Sequence, residues 1–173
     1  MRISKIALLV GLFPVVSSFA GTPITVANPG FEEGKKAWTD DKGASEVTKE
    51  AAHSGNAGLR VVDPNLTDYN RVISEPVTIT PGKTYRLDMM VRQMQSHGIN
   101  GILWFLDENK KIIPWPDGSR LLIRPADEAT GWEKLGVEGK APANAVYAEI
   151  HIQSNRMAAA TVDFDDITLT QLD

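Results

Sequence analysis

The 173-residue sequence contains no cysteine. This absence excludes disulfide bonds, a thiol nucleophile and a lipid-modified cysteine anchor. A chain of this size buries roughly 68–70% of its unfolded surface, so it needs no covalent cross-links to fold. Export without cysteine is typical of a bacterial periplasmic or secreted protein.

Only one long apolar run is present, and it lies at the N-terminus. Arg2 and Lys5 precede an apolar stretch over residues 6–16, and Ser18-Phe19-Ala20 has the small-x-small pattern of a cleavage site. The run is too short to span a bilayer comfortably. We therefore predict a secretory signal over residues 1–20, a single domain over residues 21–173, and a secreted or periplasmic location.

Positive charge is scarce in the rest of the chain. The whole sequence has 18 Lys and Arg against 22 Asp and Glu. Without Arg2 and Lys5 the remaining chain has 16 basic and 22 acidic residues, a formal charge of −6. No basic run is present, so we expect neither nucleic acid nor a membrane surface as a partner.

Helical periodicity is also missing, and short strands separated by turns take its place. About nine strands are predicted, and the turns between them are regularly spaced. This pattern indicates an all-β fold, an antiparallel β-sandwich of the jelly-roll type. The clearest predicted strands cover residues 58–63, 71–80, 84–93, 101–106, 132–137, 146–153 and 161–170.

Two acidic motifs stand near opposite ends of the predicted domain, Asn28-Pro29-Gly30-Phe31-Glu32-Glu33-Gly34 and the segment 162–169. In the second, the alternation of apolar residues changes phase between Asp165 and Asp166, which predicts a β-bulge. A carboxylate that the bulge turns inward needs a partner. If the two ends meet, Glu32 and Asp165 would hold a structural Ca²⁺ ion, which prefers carboxylate and carbonyl oxygens.

Alternation along the strands separates a core face from a polar face. In the strand 146–153 the apolar residues share one face, and the other face mixes a ring, charges and an amide. The strands 84–93 and 101–106 show the same division. On the assumption that these three strands share a sheet, we predict one ligand-binding surface. Its members are Trp104, Arg92, Asp88, Met90, Tyr147, Glu149, His151 and Gln153.

Aromatic rings are further candidates, because their faces stack on sugar C–H surfaces. Trp104 either contacts a ligand or covers an apolar strip beneath a loop. Trp115 lies in a proline-rich loop. It either places its ring at the rim of the sheet or caps the end of the sandwich.

The order of motifs along the chain resembles a known family. Asn28-Pro29-Gly30-Phe31-Glu32 is followed by Trp38, His53-Ser54-Gly55-Asn56-Ala57-Gly58-Leu59, Pro81-Gly82-Lys83-Thr84-Tyr85 and finally Phe164-Asp165-Asp166-Ile167. This order is similar to that of the calcium-stabilised carbohydrate-binding modules of the galactose-binding-like β-sandwich superfamily. The resemblance covers nearly all of residues 21–173.

The resemblance implies a jelly roll with a structural Ca²⁺ ion remote from a sugar-binding sheet. Glu32 and Asp165 match the side-chain ligands of that ion. The turn that contains Ser54 and Asn56 matches the segment whose backbone carbonyl groups complete the shell. Trp38 and Trp132 match positions that pack into the sandwich.

The leading functional hypothesis is a non-catalytic, exported module that binds an oligo- or polysaccharide. Related modules accompany catalytic domains, so we expect either independent binding or work beside a partner protein that supplies catalysis. A second hypothesis is a small jelly-roll lyase or glycosidase that uses His151, Tyr147, Arg92 and Glu149. A third is an extracellular adhesion or assembly module.

Overall fold

The computed structural model describes residues 21–64, 68–95, 98–115, 120–125, 131–155 and 159–173. The predicted signal, residues 1–20, lies outside these ranges. The described residues contain no helix, and therefore none that could cross a membrane.

Twelve strands form two antiparallel sheets of six strands each within the described residues. Sheet A contains β1 (Thr22–Ile24), β3 (Ser45–Thr48), β4 (Gly58–Asp63), β7 (Thr84–Gln95), β10 (Trp132–Lys140) and β12 (Ala160–Gln171). Sheet B contains β2 (Trp38–Asp40), β5 (Arg71–Ser74), β6 (Val77–Thr78), β8 (Ile99–Leu106), β9 (Leu121–Ile123) and β11 (Tyr147–Ser154). The order in sheet A is β10-β7-β12-β4-β3, with β1 on β12. The order in sheet B is β2-β5-β11-β8-β9, with β6 on β11.

The hydrophobic core lies between the two sheets. Alternate residues of β7 contribute Tyr85, Leu87 and Met89, each 0% exposed, and β8 contributes Leu103 and Phe105 from the opposite side. Full burial of one such side chain stabilises the fold by about 1.5–3 kcal/mol. The all-β sandwich predicted from the sequence is confirmed.

Most predicted strands are present, with changed ends. The predicted strand 58–63 coincides with β4, whereas the predicted strand 71–80 is divided into β5 and β6. Glu75-Pro76 lies at the break, and proline has no N–H group for the sheet ladder. The short strands β1, β2, β3 and β9 were not predicted.

The predicted bulge in β12 is confirmed. The register between β12 and β7 shifts between Asp165 and Thr168, and Asp166 has a φ angle of 48°. The extra residue turns the Asp165 side chain inward, where it is 0% exposed. The bulge therefore buries one carboxylate at the point where β12 approaches the start of the domain.

Candidate functional site

The outer face of sheet B has polar and aromatic side chains in register on β8 and β11. Trp104 lies opposite Glu149, Ile102 opposite His151, and Asn100 opposite Gln153. Their neighbours along each strand, such as Leu103 and Ile150, belong to the core. The alternation predicted for these two strands therefore holds, and it places Trp104, His151 and Gln153 on one surface.

Trp104 is half-buried at the centre of this face. Its ring packs edge-on against His151, with ring centroids 6.2 Å apart, and the Arg120 guanidinium lies 5.8 Å from the centre of the Trp104 ring. The indole Nε1 is buried and has no hydrogen-bond acceptor among the described residues. A buried N–H group without an acceptor lowers the stability of the fold. The position of the Trp104 ring is therefore not explained by its contribution to folding alone.

His151 lies on the floor of this face rather than on an exposed strand. It is only 3% exposed, and its Nε2 atom lies 2.7 Å from Oε2 of Glu149. The contact fixes the orientation of both side chains. Tyr147 shares the face, but its ring lies 5.7 Å from the Lys110 amine rather than beside His151.

Two adjoining clefts cross the outer face of sheet B. One has a volume of about 240 Å³ and the other about 270 Å³. They share Arg120 and Gln153, so we treat them together as the sheet B groove. Its described lining consists of Tyr69, Arg71, Asn100, Ile102, Trp104, Ile112, Arg120, Leu122, Arg124, His151, Gln153 and Asn155.

Several lining residues were not predicted from the sequence, above all Arg120 and Arg124. They flank β9, which has only three residues, and this is too short for the periodicity that identified the longer strands. The signal that would have found them is the alternation of Arg120, Leu122 and Arg124. This spacing places all three side chains on one face of an extended segment.

Arg92, Asp88 and Met90 do not belong to this surface, and the prediction that they do is wrong. All three lie on β7, which pairs with β10 and β12 in sheet A, whereas Trp104 and His151 lie in sheet B. Arg92 donates to Asp163 with Nη2 at 2.7 Å, and Arg86 donates to Asp88. The set proposed for a lyase or glycosidase therefore does not converge, because Arg92 is on the opposite sheet.

The other tryptophans have different environments. Trp38 is 6% exposed and belongs to the core, as predicted. Trp115 packs against Phe105 at 6.0 Å and borders the core, so it takes the capping position of its two predicted alternatives. Trp132, predicted to be in the core, is instead half-buried on the outer face of sheet A, with the Arg92 guanidinium 4.7 Å from its ring centre.

The two acidic motifs do meet, and they do so at one turn, residues 53–57. The Glu32 carboxylate accepts hydrogen bonds from the backbone N–H groups of Asn56 at 2.9 Å and Ala57 at 3.2 Å. Asp165 accepts from the N–H groups of His53 at 2.7 Å and Ser54 at 3.0 Å. The predicted convergence of the chain ends is therefore confirmed.

This junction fits a Ca²⁺ ion only in part. Burial raises the pKa of Asp165, and the N–H groups of Ser54, Asp166 and His53 oppose the rise. The buried Asp165 carboxylate and the exposed Glu32 carboxylate offer oxygen atoms of the kind that a hard cation prefers. However, the turn directs N–H donors at them, and no group of three acidic or histidine side chains that could hold a metal occurs in the described ranges. Calcium binding stays a prediction.

No family profile matches the sequence, and no curated protein matches it. Solved structures do match its fold. A family 16 carbohydrate-binding module superposes with a TM-score of 0.65 and 19% identity, over 84% of this chain and 99% of that module. The CBM22-1 xylan-binding domain of Paenibacillus barcinonensis Xyn10C superposes with a TM-score of 0.62 and 17% identity, over 91% of this chain and 99% of that domain.

A larger protein also contains this fold. The enzymatically active domain of tailspike protein 4 from bacteriophage CBA120 superposes with a TM-score of 0.69 and 11% identity. The match covers 86% of the present chain but only 21% of the tailspike chain. At these identities the likeness concerns architecture. The chain therefore has the β-sandwich fold that is found in carbohydrate-binding modules.

Proposed function

We propose that this protein is a non-catalytic carbohydrate-binding module that holds an oligo- or polysaccharide in the sheet B groove. The observation that carries the proposal is the half-exposed Trp104 ring, which lies among the amide, imidazole and guanidinium groups of Gln153, His151 and Arg120. Sugars present apolar C–H faces and hydroxyl edges, and such a mixture of ring and hydrogen-bonding groups complements both.

The fold supports the same proposal. Two structures that it resembles over almost their full length are carbohydrate-binding modules, and one of them is named as a xylan-binding domain. The N-terminal sequence pattern supports export, which would bring the module into contact with extracellular or cell-wall glycans. We propose xylan-like β-linked glycans as the first class of ligand to test.

The site also has features of a rigid binding surface rather than a reacting centre. His151 and Glu149 contact each other at 2.7 Å, which orients both groups before a ligand arrives. A preformed arrangement reduces the entropy lost when a ligand binds. No further carboxylate lines the groove among its described residues, so a pair of acids spanning a glycosidic bond is missing from that part of the site.

Calcium is the second part of this proposal. Glu32 and Asp165 would hold the ion, and oxygen atoms of the turn 53–57 would complete its shell. When bound, the ion would join the loop between β1 and β2 to the strand β12. Within the described residues Oε2 of Glu32 accepts no hydrogen bond, which leaves one carboxylate oxygen open to a cation. The ion would be structural, because the junction belongs to sheet A and the groove to sheet B.

Retention on a panel of immobilised polysaccharides tests the binding function. The native chain is compared with the Trp104→Ala and Trp132→Ala variants, since each removes one half-buried outward tryptophan that lies near an arginine. Only Trp104 lies on the groove. We expect Trp104→Ala to weaken retention at least tenfold, and Trp132→Ala to leave it unchanged. Retention of the native chain on no glycan, or equal losses in the two variants, would contradict the proposal.

A further inference from the structure

The groove has an uneven distribution of charge. Its described lining includes Arg71, Arg120 and Arg124 but no aspartate or glutamate. Glu149 lies on the same face opposite Trp104, where it contacts His151 at 2.7 Å. The chain as a whole has a formal charge of −4. A positive groove on an acidic protein is a local feature that the overall composition does not explain, and it attracts ligands of the opposite charge.

Two of the three arginines lack an acidic partner within the described part of the chain. Arg71 donates to Asp41 at 2.9 Å, so that charge is largely balanced within the protein. Neither Arg120 nor Arg124 forms an ion pair with any residue that the structure describes. By contrast, the arginines on the outer face of sheet A are paired: Arg60 and Arg92 with Asp163, and Arg86 with Asp88 and Glu138.

The position of the two unpaired arginines suits an extended ligand. They are four residues apart at either end of β9, on the same face as Leu122. In an extended strand this spacing corresponds to about 13 Å, which is farther than one sugar ring reaches. Arg120 also lies 5.8 Å from the Trp104 ring centre, so a ring stacked on Trp104 would have a guanidinium beside it.

We propose that the groove selects an acidic oligosaccharide, one that contains uronic acid units, with a sugar ring on Trp104 and carboxylates at Arg120 and Arg124. A planar guanidinium pairs with a planar carboxylate through two parallel hydrogen bonds. This inference rests on the proposed carbohydrate-binding function and specifies its substrate class. Nucleic acid is a poorer fit, because its phosphates repeat along the whole strand, whereas the described lining of the groove has two unpaired charges and the chain is acidic.

Matched pairs of glycans test the inference. Affinities of the full chain are measured by calorimetry at fixed ionic strength for polygalacturonate, glucuronoxylan and alginate oligosaccharides, each beside its carboxyl-reduced counterpart. A sulfated glycan and single-stranded DNA complete the panel. We expect at least one uronate to bind tenfold or more tightly than its reduced form, since one charge-assisted pair contributes at least that factor.

A double variant localises the preference. Arg120→Gln with Arg124→Gln is expected to bring the uronate and its reduced form to equal affinity, while binding of the reduced form persists. The control is Lys134→Gln with Lys140→Gln, which removes the same charge from exposed positions of β10 in sheet A. The control is expected to keep the tenfold preference.

The outcomes separate this inference from the function on which it rests. Equal affinity of the native chain for each uronate and its reduced form would overturn the inference and leave carbohydrate binding intact. Tighter binding of the sulfated glycan than of every uronate would overturn the assignment of a carboxylate. Absence of binding to all glycans, or tighter binding of DNA than of any glycan, would overturn both.

Discussion

Glu32 and Asp165, which lie near opposite ends of the domain, both accept backbone hydrogen bonds from the same turn, residues 53–57. The Cβ position of an alanine at Gly55 would lie 2.1 Å from Oε1 of Glu32, so the side chain lies directly against this turn. Gly55 has a φ angle of 63°, which glycine adopts without strain. The start and end of the domain are therefore held at one site.

This junction gives a test for calcium. Saturating Ca²⁺ at about 100 times its dissociation constant contributes about 2.7 kcal/mol to the free energy of unfolding. For a domain of this size that corresponds to about 5–10 °C in Tm. We therefore expect a chelator to lower the Tm of the native chain by that amount, as measured by differential scanning calorimetry.

The Glu32→Gln variant separates the ion from the hydrogen bonds. Glutamine keeps an oxygen that accepts from Asn56 and Ala57 but removes the negative charge. We expect a Tm below that of the native chain and no further change with chelator, whereas the exposed control Glu46→Gln should respond as the native chain does. If the chelator leaves the Tm of the native chain unchanged, the backbone N–H groups alone hold the junction.

Asp40 gives a prediction for the dependence of stability on pH. Burial opposes ionisation of Asp40, but hydrogen bonds from Lys35 and Ser45 outweigh it and lower its pKa from 3.8 to about 2. A carboxyl group whose pKa is lowered on folding stabilises the fold at pH values above its ordinary pKa. This contribution is lost as the pH falls through the pKa of the group in the folded protein. The shift corresponds to about 2 kcal/mol.

We therefore expect Asp40→Asn to lower the free energy of unfolding by about 2 kcal/mol at neutral pH. The difference from the native chain should shrink between about pH 4 and about pH 2. Urea unfolding at a series of pH values measures it, with the exposed Glu108→Gln variant as the control. A difference that stays constant with pH would contradict the assignment of this effect to the Asp40 carboxylate.

Gly58 gives a prediction about packing beside the same turn. A Cβ atom added there would lie 1.8 Å from the carbonyl oxygen of Ala51, a backbone atom that cannot move aside cheaply. We expect Gly58→Ala to cost about 1–3 kcal/mol or more, read as a lowered midpoint in urea unfolding.

The matched control for Gly58 is Gly131→Ala, because a Cβ atom at Gly131 meets no atom of the described residues within 4 Å. Its free energy of unfolding should change by less than about 0.5 kcal/mol. Equal losses in the two variants would contradict the assignment of the effect to the clash with the Ala51 carbonyl oxygen.

The faces of the long strands could be predicted from the sequence because a strand has a period of two residues. The inward set Tyr85, Leu87, Met89 and Val91 follows from this rule alone, and the structure buries all four. The β12 bulge could also be predicted, since a change of phase within one strand is a local signal. These features depend on neighbours along the chain.

The choice of sheet could not be predicted in the same way. Arg92 was assigned to the correct side of its strand but to the wrong sheet, because pairing depends on contacts with strands that are distant in sequence. Trp132 was misplaced for a similar reason. It lies opposite Arg92 in the ladder between β10 and β7, and the guanidinium holds its ring on the outer face of sheet A.

Both described ends of the domain belong to sheet A. Gly21 lies against the backbone of Gln171, and Asp173 accepts from the Thr84 N–H group. The groove opens on the other side of the core, in sheet B. A tether attached at either described end, on a sensor chip or on another protein, would thus leave the sheet B groove pointing away from the anchoring surface. The domain can therefore be immobilised through residue 21 or residue 173 without obstructing the groove.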